Sequence, residues 1–167
     1  MPLDDELEAL VPRVYRFARR LTGNVHRAED LTQETFLRAW RRRGQLRDPR
    51  RTLVWLFRIA ANLWRDELRR RGVLTEDAEL TAEPVDGRML APETIADEHE
   101  QVERALAALA TLPPRQQSVL HLVAVERLSL SEVSEILGIT RNAARVNLCL
   151  ARKRMRELFS EANQSAE

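Results

Sequence analysis

The apolar positions of the 167-residue chain recur at helical spacing in two blocks, and the pattern fails between them. In the first block Leu7, Leu10, Val11, Val14, Phe17, Ala18 and Leu21 lie three and four residues apart, and Gly23-Asn24 closes the run. Pro12 falls inside it, which predicts a kinked first turn or a later helix start. A second stripe joins Ala28, Leu31, Thr32, Thr35, Phe36, Ala39 and Trp40 and ends at Arg41-Arg42-Arg43-Gly44. Asp48-Pro49 marks a loop. From about Arg51 to Arg71 a third helix places Val54, Phe57, Ala61, Trp64 and Leu68 on one face, and Arg58, Asn62, Arg65 and Arg69 on another. No strand-like alternation intervenes.

From Gly72 to about Pro92 acids and turn formers replace the large apolar residues, as in a flexible linker. Helical spacing then resumes with Val102, Leu106, Leu109 and Ala110 and stops at Leu112-Pro113-Pro114. Pro114 suits the first position of a helix reaching Val125. Ser129-Leu130-Ser131-Glu132 has the spacing of a capping box. A short helix follows through Leu137, Gly138 supplies a tight turn, and Thr140 caps a long helix from Arg141 to about Phe159. Its inner stripe is Ala144, Leu148, Ala151, Met155 and Leu158. A short capped helix, a glycine turn and a longer Arg-rich helix make the pattern of a helix-turn-helix. The expected fold is therefore all-α: two small helical domains at 1–72 and 101–167, joined by a flexible acidic linker at 73–100.

Charge sharpens this division. The whole chain carries 27 basic and 26 acidic side chains, a formal net charge of +1 that argues against a nucleic-acid binder. By segment the picture changes: residues 1–72 hold 17 Arg and 10 acids (+7), 73–103 hold Arg88 and 10 acids (−9), and 104–167 hold 9 basic residues and 6 acids (+3). All basic residues but Lys153 are arginine, which favours bidentate phosphate contacts, although a GC-rich genome enriches arginine as well. The acidic linker is expected to mask the basic segments in the free chain by intramolecular attraction.

Other chemistry is sparse. No apolar run approaches the roughly 20 residues needed to span a bilayer, and the acidic N-terminus lacks a secretory pattern, so a soluble, cytoplasmic protein without membrane insertion is expected. Cys149 has no partner for a disulfide and reads as a small packing residue. His26, His99 and His121 are scattered without metal-ligand spacing, so no metal site is expected. The three tryptophans, Trp40, Trp55 and Trp64, fall on or beside apolar stripes and read as core. No phosphate loop, nucleophile elbow or carboxylate pair appears, so neither catalysis nor a cofactor is expected.

The helix-turn-helix would present Arg141, Asn142 and Arg145 to base edges in a major groove, and Arg152, Lys153, Arg154 and Arg156 to phosphates. A helical bundle with a solvated basic face fits the same residues. Likewise Asp30, Gln33, Glu34 and Arg38 lie outside the second apolar stripe and suit either a partner surface or a wet face.

Ala28-Glu-Asp-Leu-Thr-Gln-Glu-Thr-Phe-Leu-Arg-Ala-Trp40, with Arg16-Phe-Ala-Arg-Arg-Leu-Thr-Gly23 before it and Trp55-Leu-Phe-Arg-Ile-Ala-Ala-Asn-Leu63 after it, resembles the second region of bacterial sigma factors. Leu112-Pro-Pro-Arg-Gln-Gln-Ser-Val-Leu120 and Leu130-Ser-Glu-Val-Ser-Glu-Ile-Leu-Gly-Ile139 resemble the fourth region. Two such regions on a short linker resemble the extracytoplasmic-function group of sigma factors. The resemblance implies that Asp30, Gln33, Glu34 and Arg38 dock on the clamp coiled coil of core RNA polymerase. It implies that the loop from Arg43 to Arg51, with Arg58, Asn62, Arg65 and Arg69, captures the non-template strand of the −10 element. A basic helix beside a loop suits holding backbone while a base leaves the stack.

By the same resemblance, Arg141, Asn142, Arg145, Val146, Asn147 and Arg152 face the −35 element of promoter DNA, and the side bearing Leu120, Leu122 and Leu128 meets the polymerase flap. The family's recognition helix commonly carries a hydroxyl and further arginines where this chain has Val146, Asn147 and Leu150, so a changed or weaker −35 preference is expected. An anti-sigma factor is an expected partner. The rival reading is a free-standing helix-turn-helix regulator acting without polymerase, which would have no use for the Asp30, Gln33 and Glu34 face.

Overall fold

The computed structural model describes residues 2–72 and 96–164, and the regular elements among them are all helical. The first half is a bundle of α1 (Pro2–Thr22), α2 (Val25–Arg41) and α3 (Thr52–Arg70), each packed on the other two. Helix α1 runs unbroken through Pro12. Pro12 and Glu8 both face solvent, so the Glu8 carbonyl that loses its helical partner can be hydrated instead. The inner face of α1 buries Val14, Phe17, Ala18 and Leu21, and α3 buries Leu56, Phe57, Ala60, Ala61 and Trp64 against it. Burying one such large side chain stabilises the fold by about 1.5–3 kcal/mol.

Local chemistry sets the ends of these helices. The Asn24 side chain accepts from the Arg27 amide at 3.0 Å and caps α2. Between α2 and α3 the chain makes two short 3₁₀ turns, Arg43–Gln45 and Pro49–Arg51, the second capped by Asp48.

The second half comprises α4 (Ala96–Ala110), α5 (Pro114–Leu120), α6 (Leu130–Leu137) and α7 (Arg141–Gln164). Helix α4 begins at Ala96, so residues 96–100, expected in the linker, are helical; the rest of that linker, with its expected masking role, lies outside the described residues. The capping box closes in both directions, Ser129 Oγ accepting from the Glu132 amide at 3.2 Å and Glu132 Oε2 from the Ser129 amide at 2.8 Å. Thr140 Oγ1 accepts from the Ala143 amide at 3.0 Å and caps α7.

The expected single helix from Pro114 to Val125 is instead α5 followed by a π-helical turn, His121–Val125. In it the Glu126 amide reaches back to the His121 carbonyl at 3.2 Å, and the turn ends at Arg127 with φ 56°. The wider turn brings His121 and Glu126 onto the buried side together, and such turns recur at functional sites.

The two halves dock, α3 against α6 and α1 against α5, and their buried residues form one continuous core. Three expectations are corrected here. Trp40 is 46% exposed, its ring capped by the Arg43 guanidinium 4.4 Å from the ring centre; Trp64 is core, and Trp55 is half-buried and packed against that core. Cys149 is exposed rather than packed. Leu122, expected on a partner-facing side, is fully buried, while Leu120 and Leu128 are half-buried and packed on the same core.

Gly138 ends α6 in the left-handed region at φ 65°, and a Cβ there would stand 3.0 Å from Nη2 of Arg65 on the other half. Gly138→Ala is expected to lower stability by about 1–2 kcal/mol through the left-handed conformation alone. A urea unfolding midpoint that does not fall would contradict this.

Candidate functional site

The face of α2 outside the apolar stripe carries Asp30 and Gln33, both exposed, and Glu34, which accepts from Arg38 Nε at 2.9 Å. Asp30 and Glu34 also line a cleft of about 250 Å³ between α2 and α3, walled by Leu63, Trp64 and Glu67. The structure thus brings Asp30, Gln33, Glu34 and Arg38 onto one outward surface. Buried Thr32 and Thr35, on the opposite face, return their hydroxyls to the Ala28 and Leu31 carbonyls, both at 2.6 Å, so no polar group there is stranded.

On α3 the four residues expected at the −10 strand also share a face, but much of it is engaged. Arg58 Nη1 donates to Glu135 Oε1 at 3.0 Å, and Arg51 donates to the other oxygen of the same carboxylate. Arg65 donates to Asn62 Oδ1 at 3.0 Å and to the Leu137 carbonyl at 2.7 Å. Arg69 lies 3.5 Å from Asp66. Burial, and then neighbouring Arg69, pull the Arg65 guanidinium below its ordinary pKa. Beside this face a second cleft of about 270 Å³ opens between the 3₁₀ turns and α3, lined by Leu46, Arg47, Asp48, Trp55 and Arg58, with Glu135 on its wall.

The helix-turn-helix presents Arg141, Asn142, Arg145, Val146 and Arg152 to solvent on α7. Arg145 Nη2 donates to Asn142 Oδ1 at 2.9 Å, holding the two as a pair. Asn147 differs: it is half-buried and its amide donates to the Ala143 carbonyl of its own helix at 2.9 Å. The most outward apolar surface of this helix belongs to Val146 and Leu150.

Residues absent from the sequence-based site set join the halves. Arg13 of α1 places Nη2 2.6 Å and Nε 2.7 Å from Oε2 of Glu126, whose side chain is 1% exposed. His121 lies beneath, 4% exposed, with its Nε2 3.6 Å from Glu126 Oε1 and its ring stacked on Phe17. No local pattern marks these pairs, because Arg13 and Glu126 are 113 positions apart and Arg51 and Glu135 are 84 apart.

Burial pushes the Glu126 carboxyl up, but His121 and the close Arg13 guanidinium together hold it below the ordinary carboxylate range. Burial pulls His121 below its ordinary 6.5; Glu126 opposes this, and Arg20 and Arg16 reinforce it. A base whose folded pKa is depressed binds more protons when unfolded, so stability falls as pH drops below about 6.5. Acidification from pH 7.5 to 5.5 is expected to lower the unfolding free energy by at most about 1.4 kcal/mol per pH unit, and His121→Phe to flatten that dependence. Glu126 keeps its full contribution throughout this window and loses it only as the pH falls below 4.5. Urea titrations at several pH values check both; an unchanged slope in the variant would remove His121 as the cause.

With the geometry in place, relatives give it a context. The family models of sigma-70 region 2 and sigma-70 region 4 match residues 7–73 and 103–155. The ECF RNA polymerase sigma factor EcfG of Rhodopseudomonas palustris is 33% identical over 95% of this chain and 88% of its own length. The ECF RNA polymerase sigma factor SigW of Bacillus subtilis is 30% identical, covering 92% and 86%.

This chain belongs to the ECF sigma factors.

A further ECF relative, SigE of Mycolicibacterium smegmatis, is 38% identical over 99% of the chain, which spans 66% of that protein's length. In fold, the ECF chain is similar to the sigma factor RpoE of Bartonella quintana, solved with the anti-sigma factor NepR, at a TM-score of 0.71, 24% identity and coverage of 95% and 97%. Among the described residues of this sigma factor no helix is long and apolar enough to cross a membrane.

Proposed function

We propose that this ECF sigma factor binds core RNA polymerase through Asp30, Gln33, Glu34 and Arg38 and directs initiation at promoters of two-part design. The observation that carries the reading is the presence of both sigma regions, in order, in one chain. Region 2, at 1–72, captures the non-template −10 strand with the turns around Asp48 and with Arg58, Asn62, Arg65 and Arg69. Region 4, from the start of α4 onward, reads the −35 duplex with Arg141, Asn142, Arg145 and Val146, while Arg152 holds phosphate. Asn147, engaged with its own helix, contributes to shape more than to base contact, and Val146 offers an apolar surface suited to a thymine methyl. The protein works in the bacterial cytoplasm, performs no catalytic step itself, contacts the clamp coiled coil and flap of the polymerase, and is held in reserve by an anti-sigma factor.

The test is transcription from the gene's own upstream region with purified bacterial core polymerase. Initiation at a defined start site that needs both the chain and the core supports the reading. Duplex binding without core, and no initiation with it, would establish the free-standing regulator instead.

A further inference from the structure

The outward face of α7 is rich in arginine, yet between Asn142 and Lys153 its centre holds no strong hydrogen-bonding group. Val146 and Leu150 stand four residues apart, one above the other, with Cys149 beside them. All three are exposed, Val146 at 43% and Leu150 at 47%. Helical periodicity borders this patch with Arg145 and Arg152 on one side and Arg154 on the other. An apolar patch fenced by cations suits a surface that is apolar at its centre and anionic at both rims. The major groove of duplex DNA is such a surface wherever a thymine stands. The C5 methyl is the apolar group a base pair presents there, and phosphates line both edges.

The first turn of the helix adds a second restriction. Asn142 Oδ1 accepts from Arg145 Nη2 at 2.9 Å. An asparagine reads adenine by accepting and donating at once, and this one holds its oxygen toward Arg145. What the pair turns outward is N–H donors, which match the N7 and O6 acceptors of guanine.

We propose that Val146 and Leu150 are specificity residues that read thymine C5 methyl groups, beside a guanine read by Asn142 and Arg145. The inference deepens the assignment of α7 to the −35 duplex and rests on it, and it adds Leu150 to the reading set. Four residues of helix rise about 6 Å and one base step about 3.4 Å, so the two methyls belong to base pairs one or two steps apart. The cationic rims hold phosphate whatever the sequence, and the methyl contacts supply the discrimination.

The experiment uses the full chain with core polymerase. Initiating complexes are selected from promoter duplexes whose −35 window is randomised, and guanine with one or two thymines nearby is expected to be enriched. Uracil then replaces each thymine of a selected window, which removes the methyl and leaves every hydrogen-bonding group in place. Affinity is expected to fall about 4-fold for each methyl and about 15-fold for two. Val146→Ala with Leu150→Ala should bind the thymine and uracil duplexes equally, a loss of discrimination that a merely unstable helix does not produce. Alkylation of Cys149, the single cysteine of the chain, read by mass spectrometry, reports whether duplex covers the outward face of α7.

If duplex protects Cys149 while uracil costs nothing, the methyl reading is overturned and the −35 assignment stands. If the double variant loses affinity for core while keeping its thymine preference, the patch meets the polymerase and the proposal fails. If Cys149 is alkylated equally with and without duplex, α7 does not face DNA, and the −35 assignment fails together with the proposal.

Discussion

Replacing Phe17 by alanine is expected to lower the unfolding free energy by about 3–5 kcal/mol, a large part of the 5–15 kcal/mol typical of a small protein. Phe17 is fully buried, its ring lies 4.8 Å from that of Phe57 at a tilt of 49°, and His121 stacks on it with centroids 6.3 Å apart. The side chain therefore touches the inner face of α3 and the π-helical turn of the other half. Truncation opens a cavity where the two halves meet, and a residual cavity adds its own cost to the lost transfer energy. Urea unfolding followed by fluorescence of the buried Trp64 measures the loss. Phe17→Leu, which keeps most of the volume, should recover much of it. Equal midpoints for wild type and Phe17→Ala would mean that the junction carries little of the stability.

The second large effect concerns function rather than folding. If Asp30 belongs to the proposed docking surface, Asp30→Arg is expected to weaken the affinity for core polymerase by about 2–5 kcal/mol, at least 30-fold, because it reverses the charge that surface presents. Asp30 is exposed on the outer face of α2, so the fold itself should change by less than about 0.5 kcal/mol. Binding to fluorescently labelled core, measured beside the urea midpoint, separates the two effects. Undiminished core binding with an intact fold would take Asp30 out of the docking surface. Binding lost together with the fold would mean instead that Asp30 supports the bundle.

Much of this architecture was legible in the linear pattern because it follows from local rules. Leu31, Ala39, Phe57, Ala61, Trp64 and Leu68 were placed on inner faces by spacing alone, and they are buried or packed there. The capping box at Ser129 and the left-handed Gly138 are decided within a few residues, and both occur where the pattern put them. Failures came where the outcome depends on what a face meets. Trp40 lies on the second stripe yet is exposed, with the Arg43 guanidinium over its ring. Cys149 sits on the outer side of α7, one position from buried Leu148, which spacing could not weigh without knowing the packing partner. The π-helical turn needs a reason to widen, and here Arg13 and Phe17 of α1 provide one for Glu126 and His121.

By itself, the sequence determined the helices, their caps, the two basic blocks and the family to which they belong, since periodicity, capping and motif order act over short range. Only the tertiary structure decided which surfaces those blocks leave free. The arginine stripe of α3, counted along the chain as an unopposed positive charge, meets Glu135 and the end of α6 across more than seventy residues of sequence. A contact that distant is specified by the docking of two finished units, through a shared apolar core and a few oriented charges, and no local spacing encodes it.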